Sequence, residues 1–311
     1  MSNLENLGDR FSIPLLTDSD GYMGRECPES GCRGYFKLTP RTGMSNPTEQ
    51  HCPYCGHGGD AQSFATTAQI EYATSVVMNQ VTGALLKDLQ ALEFDHRPRG
   101  GFGISVKVEG QPLPIRHYRE EHLETEVVCD NCSLRYAIYG VFAFCPDCTA
   151  HNSYQILGKN LEVAEKEIAL ALSLGGDLVD HLIGDALENA VSAFDGFGRE
   201  ACRVHPAQTP LPPKAPPLSF QNLEGVRKRL QAHYGFDLAD GLATQDWEFV
   251  ARCFQKRHLL SHRMGVVDQG YLDATHDPCA VVGRKIVIGT DEVTQLIGLL
   301  KDLGTYLLAH L

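Results

Sequence analysis

The sequence has no long hydrophobic run. No stretch of about 18 consecutive apolar residues occurs, which is the length that a membrane-spanning helix requires. The first residues also lack the basic segment and following apolar segment that are typical of a signal peptide. We therefore expect a chain that neither spans a membrane nor is secreted.

Positive charge is also scarce. The chain has 27 Lys and Arg residues against 39 Asp and Glu residues, which gives a formal net charge of −12. A general nucleic-acid binder normally carries a basic surface, so this balance argues against that class of protein. Residues 1–218 carry −11, residues 219–264 carry +2 and residues 265–311 carry −3. Of these three segments, only 219–264 has a net positive charge.

Cysteine, in contrast, is abundant and occurs in close pairs. Eleven cysteines are present, and eight of them form two sets with the spacing of zinc-binding knuckles. This arrangement indicates metal binding in a reducing compartment, the cytoplasm, rather than disulfide bonds. We predict two structural zinc ions, one held by Cys27, Cys32, Cys52 and Cys55, the other by Cys129, Cys132, Cys145 and Cys148. The remaining cysteines are predicted to be buried as small apolar side chains: Cys202, Cys253 and Cys279.

Each set of four cysteines is predicted to be a closed site, because a catalytic zinc ion keeps one coordination position open. His51, His57 and His151 lie beside the cysteines and offer alternative ligands, although four cysteines already complete each set. Zinc ribbons commonly present a surface to protein or nucleic acid. The acidic balance of residues 1–218 favours a protein partner or a narrowly defined nucleic-acid site over nonspecific duplex binding.

Apolar spacing and turn residues predict an α+β fold with four regions. With 311 residues, of which 43% are hydrophobic, the chain is long enough for two or three domains. We predict a β-rich zinc-ribbon-like module at 1–64, a connecting helix at 65–98, a second zinc ribbon at 99–157 and an all-α bundle at 158–311. Six prolines in residues 206–217 exclude helix there and predict an extended loop inside the bundle.

Within these regions the apolar periodicity predicts individual elements. Helices are expected at residues 65–94, 161–174, 177–204, 220–233, 246–263 and 290–308. Strands are expected at residues 102–109, 126–128 and 136–144. Thr290 is the predicted N-cap of the last helix, because acidic residues follow it in the first turn.

The predicted helix at 246–263 contains the run Arg257-His258-Leu259-Leu260-Ser261-His262. At about 100° per residue, the side chains of Arg257, His258, Ser261 and His262 can face one cleft. A fixed cation beside a group that titrates near neutrality suits phosphate chemistry. Two other interpretations of this run stay open. The basic side chains could simply complement the dipole at the C-terminus of the helix. Alternatively, His258 and His262 could hold a metal ion. The metalloprotease pattern, however, requires Glu at the position of Leu259.

This run resembles the signature of the HEPN superfamily, in which an arginine and a polar residue are followed by three residues and a histidine. The following Gly265-Val266-Val267-Asp268 and Tyr271 are similar to one branch of that superfamily, which has an RHxxxHxxGxxD run. The resemblance covers residues 159–311 and leaves out the cysteine-rich segments. It implies an up-and-down, HEPN-like helical bundle that dimerises with its two motifs facing each other.

The resemblance also implies a metal-independent endoribonuclease, of the kind found in toxins and antiviral defence. By position, Arg257 would bind the scissile phosphate, His262 would be the general acid/base and His258 would orient one of them. The RNA 2′-hydroxyl would attack its own phosphate and leave a 2′,3′-cyclic phosphate. Since each chain supplies one acid/base histidine, a homodimer is expected to supply both the acid and the base.

Two non-enzymatic interpretations stay open beside this one. In the first, the zinc ribbons bind a protein partner or trigger and the bundle only dimerises. In the second, the chain is a zinc-ribbon regulator that binds nucleic acid. Incubation with RNA in excess chelator separates the enzyme from both alternatives.

Overall fold

The computed structural model describes residues 3–43, 46–96, 102–174, 176, 178–205, 207 and 218–311. These residues form a mixed α+β structure with two compact units, Met1–Ala150 and His151–Leu311. The predicted α+β class is therefore confirmed. The unit boundary comes before the predicted start of the bundle at residue 158, because the first helix of the second unit begins at Ser153. The predicted proline-rich loop at 206–217 lies outside the described residues, apart from Ala207.

The first unit is built on a four-stranded antiparallel sheet. With strands numbered in chain order, it contains β1 (Met23–Glu26), β2 (Tyr35–Leu38), β7 (Thr125–Val128) and β8 (Arg135–Ile138) in the spatial order β1-β2-β8-β7. β2 pairs with β8 through Lys37 opposite Ala137 and Leu38 opposite Tyr136. The two cysteine-rich segments, predicted as separate modules at 1–64 and 99–157, therefore share one sheet.

Buried aromatic and aliphatic side chains hold this sheet together. Phe36 and Leu38 of β2 lie in one cluster with Tyr136 and Ile138 of β8, and all four are almost completely buried. Phe64 packs edge-on against Phe36, with ring centroids 6.0 Å apart. Such aromatic and β-branched pairs across neighbouring strands are what stabilises short strands in a small sheet.

Two further hairpins and a long helix complete the first unit. β3 (Glu49–His51) pairs with β4 (Gly58–Asp60), and β5 (Phe94–His96) pairs with β6 (Ile104–Val106). Helix α1 (Thr67–Gln90) begins with a capping box, in which Thr66 Oγ1 accepts the Gln69 N–H and Gln69 Oε1 accepts the Thr66 N–H. The helix ends before the predicted residue 94, because residues 94–96 form β5.

Two predicted strands are shorter in the structure. β6 covers only Ile104–Val106 of the predicted 102–109, and β8 covers Arg135–Ile138 in place of 136–144. Gly140 has a φ of 77°, a left-handed conformation that turns the chain soon after β8. Residues beyond this turn approach the cysteine sites instead of extending the sheet.

The second unit is a helical bundle. Its helices are α2 (Ser153–Leu174), α3 (Leu178–Val204), α4 (Leu223–Tyr234), α5 (Thr244–Arg263), α6 (Gln269–Thr275) and α7 (Thr290–His310). α2 packs along α3, α7 packs on both, and α5 packs on α3 and α7. The apolar faces of these helices meet in one core, which includes Phe194, Phe197, Phe220 and Leu300. Within the described residues, no helix has the length and apolar character needed to cross a bilayer.

Two local predictions for the second unit are wrong. The N-cap of α7 is Gly289 and not Thr290, because the Glu292 carboxylate in the first turn accepts the Gly289 N–H at 3.3 Å. Cys202 and Cys253 are buried as predicted, but Cys279 is exposed. It lies in the connection between α6 and α7.

Candidate functional site

The four cysteines of the first set converge in space. Cys27 and Cys32 lie between β1 and β2, and Cys52 and Cys55 lie between β3 and β4. The Sγ atom of Cys27 is 3.7 Å from that of Cys55, and the same distance separates Cys32 from Cys52. A tetrahedral ion with metal–sulfur bonds of about 2.3 Å places its sulfurs about 3.8 Å apart. The first set therefore fits a four-coordinate metal ion.

The second set has the same geometry. Cys129 and Cys132 lie between β7 and β8, and Cys145 and Cys148 follow β8. The Sγ atoms of Cys129 and Cys148 are 3.6 Å apart, and those of Cys132 and Cys145 are 3.5 Å apart. In each set all four sulfurs lie within 4.8 Å of one another. The structure thus brings together all eight cysteines in the groups that their spacing predicted.

Burial keeps several of these thiols protonated when no metal is bound. It raises the pKa of Cys27 to about 11 and the pKa of Cys132 to about 12. A metal ion binds the thiolate form, so it has to displace these protons. The Tyr54 backbone N–H points at Cys52 Sγ from 3.4 Å and stabilises the negative charge that then develops.

The three neighbouring histidines do not take part in either group. His57 Nδ1 lies 3.8 Å from a carboxylate oxygen of Glu29, and His151 Nε2 lies 3.3 Å from one of Glu200. Within the described residues, the candidate metal groups contain cysteines alone, so His51 is not a member either.

Backbone hydrogen bonds connect the two cysteine groups. The His51 N–H donates to the Pro146 carbonyl at 2.8 Å, and the Phe144 N–H donates to the Pro53 carbonyl at 2.9 Å. Each bond joins a residue next to a cysteine of one group to a residue next to a cysteine of the other. Because β2 and β8 also pair, the two cysteine groups belong to the same piece of structure.

A second candidate site lies at the C-terminal end of α5. Arg257 is half-buried, whereas His258 and His262 are exposed. The two imidazole rings have centroids 4.7 Å apart and an angle of 54° between their planes. This closeness follows from their spacing of four residues, which places both side chains on one face of the helix.

The Arg257 guanidinium is held by a chain of polar contacts that the sequence did not predict. Its Nη1 donates to Gln221 Oε1 at 3.0 Å, and Gln221 Nε2 donates to Asp195 Oδ2 at 3.4 Å. Asp195 is buried in α3 and also accepts the Phe220 N–H at 2.6 Å. The segment just before α4 is thereby fixed to α3 and positions Arg257.

Arg257 has no carboxylate partner in the part of the chain that the structure describes. The neighbouring cations each have a carboxylate partner: Lys256 pairs with Glu292, and Arg263 pairs with Asp268. The Arg257 Nε atom is buried and reaches no hydrogen-bond acceptor among the described residues. Among the described residues, no carboxylate therefore neutralises the charge of Arg257.

Ser261, which was predicted to be able to face one cleft with Arg257, His258 and His262, contacts helix α3. Its hydroxyl donates to Glu188 Oε1 of α3 at 2.8 Å. The structure therefore groups His258 with His262, while Arg257 and Ser261 contact neighbouring segments. A metal site on the two histidines finds no support, because no third His, Cys, Asp or Glu joins them among the described residues.

A buried ion pair fixes α5 beside this site. Lys256 Nζ lies 2.8 Å from Glu292 Oε1 and donates to the Val287 carbonyl at 2.9 Å. The side chains of Lys256 and Glu292 are only 9% and 16% exposed. Burial, and then the charge of Glu292, raise the pKa of the adjacent Cys253 thiol. Nothing in the sequence pattern pointed to this pair, which joins α5 to the first turn of α7.

We expect Glu292→Ala to lower the free energy of unfolding of the second unit by about 3 kcal/mol, because it leaves the Lys256 charge buried without a carboxylate to balance it. Urea titration followed by the fluorescence of Trp247, the single tryptophan, measures this unit. The double variant Lys256→Met with Glu292→Ala should recover much of the loss, since apolar groups can replace a buried pair. A single variant as stable as the unmodified protein would contradict the expectation.

Two clefts flank α5 away from the histidines. One, of about 650 Å³, is lined by Gln221, Trp247 and His276 among others. The other, of about 690 Å³, is lined by Lys256 and Arg284 among others. Arg252 lines both. Neither of these two clefts is lined by Arg257, His258 or His262, although Gln221 links the first cleft to Arg257.

In comparisons with known proteins, no family model, no curated protein and no solved structure matched this chain.

Proposed function

We propose that the second unit is a metal-independent endoribonuclease of the HEPN type, acting in host defence or as a toxin. The observation that carries this proposal is that one end of α5 holds the Arg257 guanidinium, which has no carboxylate partner among the described residues, and the rings of His258 and His262, whose centroids lie 4.7 Å apart. A planar cation recognises two oxygens of a phosphate, and an imidazole exchanges protons near neutral pH. A phosphodiester suits both groups.

In the proposed reaction, the RNA 2′-oxygen forms a bond to phosphorus while the bond to the 5′-oxygen breaks. One proton leaves the 2′-hydroxyl and another reaches the departing 5′-oxygen, so the products are a 2′,3′-cyclic phosphate and a 5′-hydroxyl. His262 carries out one of these transfers and His258 orients the reacting groups. Arg257 stabilises the charge on the phosphate oxygens. A second copy supplies the other acid/base group in a homodimer of the bundles.

For the first unit we propose two structural zinc ions. Four thiolates at the corners of a tetrahedron suit zinc, which has no preference for another geometry. A closed site of this kind does no chemistry, so the ribbons serve recognition of RNA or of a protein partner. Free thiols in such numbers fit a reducing compartment, and we place the protein in the cytoplasm.

The test is incubation of the purified full-length chain with RNA in the presence of excess chelator. Both cysteine groups lie in the first unit, so chelation should spare the bundle. We expect cleavage to persist and each cut to leave a 2′,3′-cyclic phosphate on the upstream fragment and a 5′-hydroxyl on the downstream fragment. Loss of cleavage in chelator with an intact bundle, or cuts that leave a 3′-hydroxyl on the upstream fragment, would contradict the proposal.

A binding protein without catalysis is the second candidate. It is favoured by the exposure of His258 and His262 outside both clefts beside α5, since catalytic groups are commonly enclosed. If RNA binds without being cut, or only a protein partner binds, this candidate replaces the first.

A further inference from the structure

The cleft of about 690 Å³ beside α5 collects positive charge. Its lining contains four basic side chains: Arg252, Lys256, Arg284 and Lys285. The lining also contains three carboxylates: Asp277, Asp291 and Glu292. Four cations against three carboxylates leave a net charge of +1, in a chain that carries −12 overall. Two of the only three basic residues in the segment 265–311 lie here.

Three of the four cations have no carboxylate partner. Lys256 lies 2.8 Å from a carboxylate oxygen of Glu292 and is neutralised by it. Among the described residues, Arg252, Arg284 and Lys285 form no ion pair. An anionic ligand in the cleft would supply the partner that these three side chains lack.

The carboxylates of the cleft are largely engaged by the protein itself. One oxygen of Asp277 accepts the Tyr271 hydroxyl at 2.7 Å, and the other accepts the Cys279 N–H at 3.0 Å. Glu292 belongs to the buried ion pair described above. Asp291 is exposed and has no ion-pair partner in the described part of the chain. An anion in the cleft therefore meets three cations without partners against the two carboxylates of Asp277 and Asp291.

The protein holds the cations of the cleft in place. Arg252 is half-buried, and its guanidinium carbon lies over the Phe249 ring, 5.7 Å from the centroid. The backbone of Arg284 is fixed to the loop after α5, because its carbonyl accepts the Val267 N–H at 2.9 Å. These contacts use a ring face and backbone atoms, so both guanidinium groups keep their N–H donors for a ligand. Groups that are ordered beforehand lose less entropy when a ligand binds.

The remaining wall of the cleft is largely apolar. It includes Phe249, Pro278, Val281 and Val287. Val281 is 53% exposed and Val287 is 80% exposed, so neither is covered by the protein. Sites for small molecules commonly enclose about 300–1,000 Å³ and combine apolar walls with a few placed polar groups. The volume and the lining of this cleft both fit that description.

The distribution of charge favours a small ligand over an RNA strand. A single strand binds along a positively charged groove that spans several nucleotides. The adjoining cleft of about 650 Å³ shares Arg252, but it is also lined by Glu224 and Glu248, which would repel a continuing phosphate backbone. The positive charge is thus confined to a single cleft of the size of one small molecule.

We propose that this cleft binds a small phosphate ester whose organic part is apolar or aromatic. The phosphate binds to Arg252, Arg284 and Lys285, since guanidinium groups recognise two phosphate oxygens at once. The organic part packs against Phe249 and Val287. The proposal does not depend on the ribonuclease activity, because no residue of the R-H-x-x-x-H run except those already discussed for the other site is needed for it.

Titration of the full-length chain with phenyl phosphate, followed by phosphorus NMR, tests the site. We expect saturable binding of one molecule per chain, with a Kd on the order of 1 mM or below. Methyl phosphate has the same charge and lacks the ring, so it should bind about tenfold more weakly. Binding of phenyl phosphate that does not saturate by about 10 mM, or equal binding of the two esters, would overturn the proposal.

A double variant tests the cations. Arg284→Ala with Lys285→Ala should weaken the binding of phenyl phosphate about tenfold or more, because it removes two of the three cations that bind the phosphate. Both side chains are exposed, so the fold should be retained. Lys159→Ala with Lys166→Ala is the matched control, since it removes the same charge from exposed positions on α2. Equal losses in the two double variants would show that net charge alone matters, and would rule out the site.

A variant that should gain affinity guards against loss through misfolding. Asp291→Asn removes a carboxylate from the cleft and should tighten the binding of phenyl phosphate about threefold. Asp302→Asn is its control, because Asp302 is exposed on the same helix but does not line the cleft. Arg257→Ala should bind phenyl phosphate as tightly as the unmodified protein. Unchanged affinity in Asp291→Asn, or loss of binding in Arg257→Ala, would refute the assignment of the phosphate to this cleft.

Discussion

RNA cleavage is expected to fall by a factor of about 10²–10⁴ in His262→Ala, because general acid/base catalysis contributes a factor of that size. Arg257→Ala should lose about as much, since removing one group that stabilises the charge in the transition state costs about 10²–10³ in rate. His262 is exposed and Arg257 is half-buried in the last turns of α5, away from both cysteine groups, so we expect both variants to keep their fold and their metal content.

His258→Ala should lower the rate less than His262→Ala, because an orienting group supplies no proton. Gln221→Ala should also have an intermediate effect, since it removes the acceptor that holds Arg257. His181→Ala is a matched control, because His181 is a largely exposed histidine on α3. Initial rates on a labelled RNA compare the unmodified protein with the five variants. If His262→Ala cleaves as fast as the unmodified protein, the assignment of the active site is wrong.

Removal of zinc is expected to unfold the first unit and leave the second folded. Structural zinc contributes about 10 kcal/mol or more to folding in small modules, which is more than a core of this size supplies alone. With a strong chelator, we expect β-type circular dichroism to be lost while the fluorescence of Trp247, in the second unit, stays unchanged. Elemental analysis of untreated protein should give two zinc ions per chain, and fewer than about 1.5 would count against the sites.

The backbone hydrogen bonds between the two cysteine groups lead us to expect that metal binding at one group affects binding at the other. Cys52→Ser removes one ligand of the first site. It should also weaken zinc binding at the second site, because the His51–Pro146 and Phe144–Pro53 backbone hydrogen bonds connect the two cysteine groups. Cys279→Ser is the matched control, since Cys279 is exposed and belongs to neither group. Zinc competition titrations measure both. If Cys52→Ser retains one ion with undiminished affinity, the two sites are independent.

The long helices and the metal ligands could be predicted from the sequence. A helix of about 20 residues repeats its apolar pattern several times, so α5 and α7 were found nearly to their ends. Thiol pairs at knuckle spacing identify ligands locally, without knowledge of the surrounding sheet. Both signals are contained in short stretches of chain.

Contacts between distant segments could not be predicted in this way. Strands of three or four residues contain too little alternation to fix their partner or register, so the pairing of β2 with β8 was missed. The contact of Gln221 with Arg257 joins residues 36 positions apart, and neither residue type is unusual where it stands. Helix α6 left a signal that was overlooked, since Asp268 caps it by accepting the Tyr271 N–H at 2.9 Å.

The pairing of β2 with β8 also bears on how this protein avoids aggregation. Each cysteine-bearing hairpin alone would expose one strand whose N–H and C=O groups point outward, and such an open edge templates association with other chains. Here each hairpin covers that edge of the other, with Lys37 opposite Ala137. Each cysteine-bearing hairpin thus closes one open edge of its counterpart, so the shared sheet exposes two fewer strand edges than two separate hairpins would.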